Sequence, residues 1–168
     1  MAGSPDLLIR HGEPEDHFRI SGLLNEWWGG RQMQDMLPRL FFVHFRPTTF
    51  VAELDGQMAG FVAGFVSQTD PSTAYVHFIG VDPALRGLGV GESLYGRLFE
   101  AAREAGCRRV DAVTSIVNTG SVAFHRKVGF AVLPGDAERG GIPYTVGYDG
   151  PGNDCVRFRY DLVPGHGE

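Results

Sequence analysis

Lysine is nearly missing: Lys127 stands alone beside 14 arginines, which are scattered singly or in pairs. With a formal net charge of −5 and a pI near 5.6, the chain lacks the basic stripe that a general nucleic-acid binder needs. Cysteine is scarce as well. Cys107 and Cys155 form no C-x-x-C pair and have no histidine-rich neighbourhood, which removes zinc and dithiol motifs and leaves reduced structural thiols. No metal site is expected. The longest apolar run, Ala59 to Val66 with Met58 before it, has nine residues and includes two glycines, far short of the roughly 20 that cross a bilayer. Met1 to Asp6 carry neither a basic stretch nor an apolar core, so the expected location is cytoplasmic by default.

The rest of the composition is that of a folded chain. Hydrophobic residues make up 43% and charged residues 21% of 168 residues, enough for one domain, residues 1–168, with its own core. No repeat or linker divides it. The negative balance favours approach of a cationic ligand such as an amine, an effect that cellular salt weakens.

Read in order, Leu7 to Arg10 is a short strand, and Glu13-Pro14-Glu15-Asp16 starts a helix carrying Phe18, Ile20, Leu23 and Leu24. Gly29-Gly30 ends it. Met33, Met36, Leu37, Leu40 and Phe41 have near-helical spacing, with Pro38 kinking that helix or beginning another. Phe50–Leu54 and Met58–Ser67 flank Asp55-Gly56 as a hairpin. Tyr75–Val81 is a strand stopped by Pro83. Val90, Leu94, Leu98, Ala101 and Ala105 mark a long amphipathic helix closed by Gly106. Val110–Val117 alternates as a strand, Asn118-Thr119 caps a helix from about Gly120 to Lys127, and Gly129 ends it. Pro134 to Asn153 is rich in glycine and proline, and Cys155–Leu162 closes the chain as a strand. A mixed α/β sheet is implied.

The segment from Val81 through Asp82-Pro83-Ala84-Leu85-Arg86-Gly87-Leu88-Gly89-Val90-Gly91 joins a strand to the long helix. Such a junction suits an anion: glycines let the backbone approach, and free helix N–H groups and the dipole favour negative charge. Arg86 adds a charged donor. No Gly-Lys-Ser/Thr follows, and Glu92 stands where a third dinucleotide-loop glycine belongs, so the two commonest nucleotide loops are excluded.

Arg86, Gly89 and Gly91 after a Val-x-Pro strand end resemble the acetyl-CoA loop of the GNAT N-acetyltransferase superfamily. A second pattern similar to that family follows in Asn118, Ser121, Phe124-His125 and Gly129-Phe130. The resemblance covers about residues 6 to 163 apart from Pro134–Asn153. It implies a mixed, mostly antiparallel sheet flanked by helices in the order β-α-α-β-β-β-α-β-α-β-β, and acetyl-CoA as co-substrate. The activity implied is direct transfer to a primary amine of a small molecule in a ternary complex. Arg86, Gly87, Leu88, Gly89, Val90 and Gly91 would hold the pyrophosphate, with the pantetheine arm along Ile79 to Val81. Asn118 and Ser121 would complete the cofactor set. Gly80 marks a bulge or a close backbone approach, and a bulge would free the Val81 amide for the oxyanion. Ordinary turns for the glycines, and a plain helix cap for Asn118, are the alternatives.

The family usually has a tyrosine where His125 stands. An imidazole donor to the leaving thiolate and a packed ring without chemistry are the two readings of His125. Direct attack needs a neutral amine, hence a base. His77 is the candidate, a satisfied strand histidine the alternative, and Glu53 and Asp111 the substitutes. His11, His17, His44 and His166 belong to no motif. Trp27, Trp28 and Tyr144 are the candidate acceptor contacts, since aromatic faces stack on rings or hold cations. Adjacent tryptophans on a helix point about 100° apart, so one of them belongs to the core. Tyr148, Asp149 and Asp154 lie in or beside the glycine-rich segment, which is either an acceptor wall or an exposed loop. A non-catalytic CoA-binding sensor or assembly subunit and a protein acetyltransferase are the alternative functions. A homodimer would pair through sheet edges and late strands.

Overall fold

Asp55 and Gly56 both take positive φ, 49° and 80°, which matches the right-handed twist of the strands they join. They connect β2 (Thr49–Leu54) to β3 (Gln57–Val66). The computed structural model describes residues 5–162; His166 lies outside them. The described chain divides into two units, one running to Phe65 and resuming over His77–Glu104, the other comprising Val66–Val76 and the residues from Ala105.

In the first unit the strand order is β1-β2-β3-β4, with β1 at Leu7–His11 and β4 at Thr73–Val81, whose second half belongs here. β1–β2 and β2–β3 are antiparallel. Helix α1 (Asp16–Trp27) buries Ile20, Leu24 and Trp27, spaced four and three residues apart on one face. Its entry is tied down by charge. Asp16 accepts two hydrogen bonds from Arg10, at 2.8 and 2.9 Å, and one from the Glu13 N–H at 2.7 Å. Burial pushes the Asp16 carboxyl up, but Arg10 and the Glu13 amide outweigh it and hold the group below its ordinary value.

The stretch after α1 departs from the expected helix over Met33–Phe41. It forms a short 3-10 turn at Gln34–Met36 and, beyond Leu37-Pro38, helix α2 at Leu40–His44. Pro38 has no N–H to continue the first piece, and its carbonyl accepts the Phe41 N–H at 3.3 Å at the entry to the second. Leu37, Phe41 and Phe42 are buried with Ile20, Leu24, Trp27, Val51 and Phe61 in one cluster, where each large side chain contributes about 2 kcal/mol. Helix α3 (Val90–Glu104) buries Val90, Leu94 and Leu98 as expected, while Ala101 is half-buried and Ala105 is exposed beyond the helix end.

The second unit has the order β4-β5-β9-β6, with β5 at Arg109–Ser115, β6 at Ala131–Val132 and β9 at Cys155–Asp161. β4–β5 is parallel and runs from Thr73↔Arg109 to Val76↔Ala112, whereas β5–β9 and β6–β9 are antiparallel. The sheet is therefore mixed, as expected. Helix α4 (Thr119–Val128) is capped by Asn118 and ends at Gly129, whose φ is 115°. The glycine-rich segment, unassigned from sequence, contains a separate hairpin of β7 (Ala137–Arg139) and β8 (Ile142–Tyr144). Gly135 makes it feasible, since a Cβ there would stand 2.1 Å from the Tyr144 carbonyl oxygen. No helix of the described residues is long and apolar enough to cross a membrane.

Candidate functional site

Beyond β4 the first unit makes a tight, well-anchored turn. Asp82 Oδ1 accepts the Ala84 N–H at 2.9 Å, its carbonyl accepts the Leu85 N–H at 2.9 Å, and its own N–H donates to Ala59 at 2.9 Å. The next residues are held at their ends and open between. Gly87 and Gly89 both have φ of 81°, and a Cβ at either would meet nothing within 4 Å; they are glycines for conformation, not for lack of space. Arg86 and Gly87 are exposed, Leu88 is 55% exposed, and Gly89 leads into α3, where Val90 and Gly91 are buried. Anchored backbone, an exposed guanidinium and a 15-residue helix beginning at the turn together favour an anionic ligand.

Gly80 has a reason other than a bulge. A Cβ there would stand 2.7 Å from the Phe61 ring and 2.8 Å from Trp28 Cη2, so ring packing requires glycine. Gly60 matches it, since a Cβ there would approach the Gly80 carbonyl oxygen at 2.7 Å. Ile79 and Val81 are half-buried. Of the two tryptophans, Trp27 is 5% exposed and belongs to the core, while Trp28 is half-buried with its ring 5.1 Å from Phe78.

His77 is half-buried on β4. Its ring stacks on Phe41, centroids 4.6 Å apart and planes 12° apart, and Nε2 lies 2.5 Å from the Met36 carbonyl. A carbonyl only accepts, so Nε2 carries the proton and Nδ1 holds the lone pair of the neutral ring. In the sequence Met36 and Phe41 show only near-helical spacing, and nothing in it marks them as partners of a strand histidine. Glu53, a substitute base, accepts from Arg10 at 3.1 Å and Arg19 at 3.3 Å. Both bonds go to Oε1, and the Arg10 hydrogen bond leads in holding the carboxyl below its ordinary value.

In the second unit Asn118 Oδ1 accepts the Ser121 N–H at 3.2 Å as the α4 cap. His125 is 3% exposed and stacks on Phe158, centroids 4.5 Å apart, with the Phe130 ring edge-on at 5.2 Å. Its Nδ1 lies 2.8 Å from the Ser121 carbonyl and so carries the proton, leaving Nε2 as the acceptor. Burial pulls its pKa down, against that hydrogen bond, and keeps the ring neutral. Asp111, the other substitute base, forms a two-pronged pair with Arg159, both bonds 2.8 Å.

Tyr144 is half-buried on β8, and the segment around it is built rather than loose. Asp136 accepts the Val146 N–H at 2.9 Å, Asp154 accepts the Gly147 N–H at 2.8 Å, and Arg157 lies 5.5 Å over the exposed Tyr148 ring. Burial first and Asp149 second push the Cys155 thiol up to about 11, leaving it protonated. Among the described residues no group of three or more His, Cys, Asp or Glu is placed to hold a metal.

The family model for the acetyltransferase (GNAT) family matches residues 15–130. Over 85 residues the chain is 35% identical to an uncharacterized N-acetyltransferase of Methanocaldococcus jannaschii, a match covering 48% of this chain and 38% of that protein. It is 34% identical over 84 residues to an L-2,4-diaminobutyric acid acetyltransferase of Nocardia farcinica, covering 50% of this chain and 44% of that one. The matched stretch thus spans less than half the length of these curated relatives. A diaminobutyrate acetyltransferase of Paenibacillus lautus, solved with L-2,4-diaminobutyric acid and coenzyme A, superposes with a TM-score of 0.72 at 20% identity. That match covers 98% of this chain and 100% of the other, a likeness of fold.

Proposed function

The chain belongs to the acetyltransferase (GNAT) family, and from that premise we propose that it acts as one cytoplasmic, acetyl-CoA-dependent N-acetyltransferase domain. It moves an acetyl group to a primary amine of a small molecule by direct attack in a ternary complex. The observation carrying this reading is the anchored turn after β4, with Gly87 and Gly89 at φ of 81° ahead of α3. Relatives named for diaminobutyrate favour a small amine as acceptor.

The residues fit the cofactor. Arg86 and the backbone from Gly87 to Gly91 would hold the pyrophosphate, and Ile79 to Val81 the pantetheine arm. In the second unit Asn118 has Oδ1 engaged in the cap, which leaves Nδ2 as the donor that the family resemblance would assign to the cofactor, with Ser121. Bound acetyl-CoA supplies an activated thioester. The Val81 N–H, where the family resemblance places the oxyanion donor, would face the developing charge at the end of that arm. His77 Nδ1 takes the ammonium proton, directly or through a water, because Nε2 is committed to Met36. His125, with its proton on Nδ1 toward Ser121, has none on Nε2 to donate. A thiol with a pKa near 8.5 leaves without that help. Trp28 contributes an aromatic face to the acceptor, and Tyr144 remains a candidate contact.

Calorimetric titration with acetyl-CoA, followed by thiol release with L-2,4-diaminobutyrate and simple diamines, tests the reading. Saturable binding and amine-dependent thiol release are expected. No binding would overturn it. Tight binding with no release from any amine would select the second reading, a CoA-binding sensor, which rests on His125 standing where the family usually has a tyrosine.

A further inference from the structure

The carbonyl that sets the His77 tautomer lies between two side chains set against the core, Met33 packed on the cluster and Leu37 buried in it. Met36 itself is 51% exposed, so its own side chain does not anchor it. The polar hold on residues 33–37 is a set of bonds with α1. Asn25 Oδ1 accepts the Met33 N–H at 2.7 Å and the Gln34 N–H at 3.2 Å, and Gln34 Nε2 donates to the Ser21 carbonyl at 3.1 Å. His17 Nε2 donates to the Leu37 carbonyl at 2.8 Å, and the Leu37 side chain is 1% exposed. The Asn25 carbonyl also accepts the Gly30 N–H at 2.7 Å, closing α1. Asn25 is therefore the one side chain that takes two consecutive amides at the start of the turn whose last carbonyl meets His77.

We propose that Asn25 is a positioning residue for the base: by holding the Gln34–Met36 turn on α1 it keeps the Met36 carbonyl on His77 Nε2 and the lone pair on Nδ1. The inference rests on the reading of His77 as the proton acceptor, and it adds a residue that touches neither substrate nor His77. Without the Asn25 oxygen, two amides lose their acceptor, the turn shifts, and His77 exchanges between tautomers. A base whose lone pair is on the wrong nitrogen for part of the time loses rate in proportion.

The test reads the ring directly. Long-range ¹H–¹⁵N spectra of the full chain, with His77 assigned by a His77→Gln variant, should show the single Nε2–H tautomer in the wild type. Asn25→Ala should give averaged ring-nitrogen shifts and a roughly two- to fivefold lower kcat/KM, in proportion to the competent tautomer lost. Asn25→Asp, which keeps an oxygen for both amides, should restore both. If Asn25→Ala fails to fold, Asn25→Ser, whose oxygen is shorter in reach, is read instead. An unchanged His77 pattern in a folded Asn25→Ala or Asn25→Ser variant overturns the proposal. A His77→Gln enzyme with full turnover overturns the assignment of the base, whatever the tautomer spectra show.

Discussion

The two units use the same residue types to opposite ends. His77 in the first and His125 in the second each bond a backbone carbonyl, but through different nitrogens: Nε2 to Met36 and Nδ1 to Ser121. One ring is half-buried with Nδ1 as its acceptor; the other is 3% exposed and stacked on Phe158. Glycines divide in the same way. Gly89, at φ of 81° with open space around it, shapes an exposed turn, whereas Gly129, at φ of 115° with the Tyr160 ring 3.1 Å from where a Cβ would be, ends a helix. Residue type does not assign a role; the partner atom and the space around it do.

Exchanging like positions tests that contrast. Gly89→Glu should show the largest effect, weakening acetyl-CoA by at least about 100-fold through bulk, charge and strain at positive φ. Gly129→Ala should leave binding intact and cost about 1–2 kcal/mol of stability. Calorimetry and urea unfolding separate the two, and equal loss of binding would dissolve the contrast. His77→Gln should lower kcat/KM by roughly 100-fold or more with acetyl-CoA affinity kept; steady-state kinetics with and without the variant decides.

Asp16→Ala probes the entry to α1, where the carboxylate is paired and buried. Removing one partner of such a pair costs about 3 kcal/mol, read as a lower urea midpoint. For wild-type Asp16 the folded value is depressed, so its contribution is present above the ordinary 3.8 and is lost as pH falls through the folded value.

The smallest effect should come from His125→Phe, with turnover within about threefold of wild type. Its signature is pH. The folded His125 value lies below the ordinary 6.5, so below 6.5 the unfolded chain binds the extra proton and the folded protein loses stability as the pH falls toward the folded value. The phenylalanine variant should lose less Tm than wild type between pH 7.5 and 5. An equal loss would place that acid sensitivity elsewhere.

Much of this was legible in the residues themselves. Asp55-Gly56, the Asn118 cap, Gly129 and the Gly87/Gly89 turn are each set by one or two residues with narrow backbone preferences, and such preferences act locally. The split of Met33–Phe41 was half legible: Pro38 marked the break, but spacing alone did not show that the first piece closes as a 3-10 turn. The hairpin in 137–144 was not legible, because its strands are three residues each and its feasibility depends on Gly135 meeting the backbone of Tyr144.

The sequence by itself determined the order of strands and helices outside the 137–144 hairpin, the anion-favouring turn and the family pattern, since these follow from periodicity and from backbone angles open only to glycine. Tertiary structure alone decided that Trp27 is core and Trp28 faces Phe78, that Gly80 answers to Phe61 and Trp28, and which nitrogen of each histidine carries its proton. Those outcomes depend on atoms brought close from distant parts of the chain, Met36 to His77 above all, and a hydrogen bond formed at 2.5 Å has no counterpart in residue spacing.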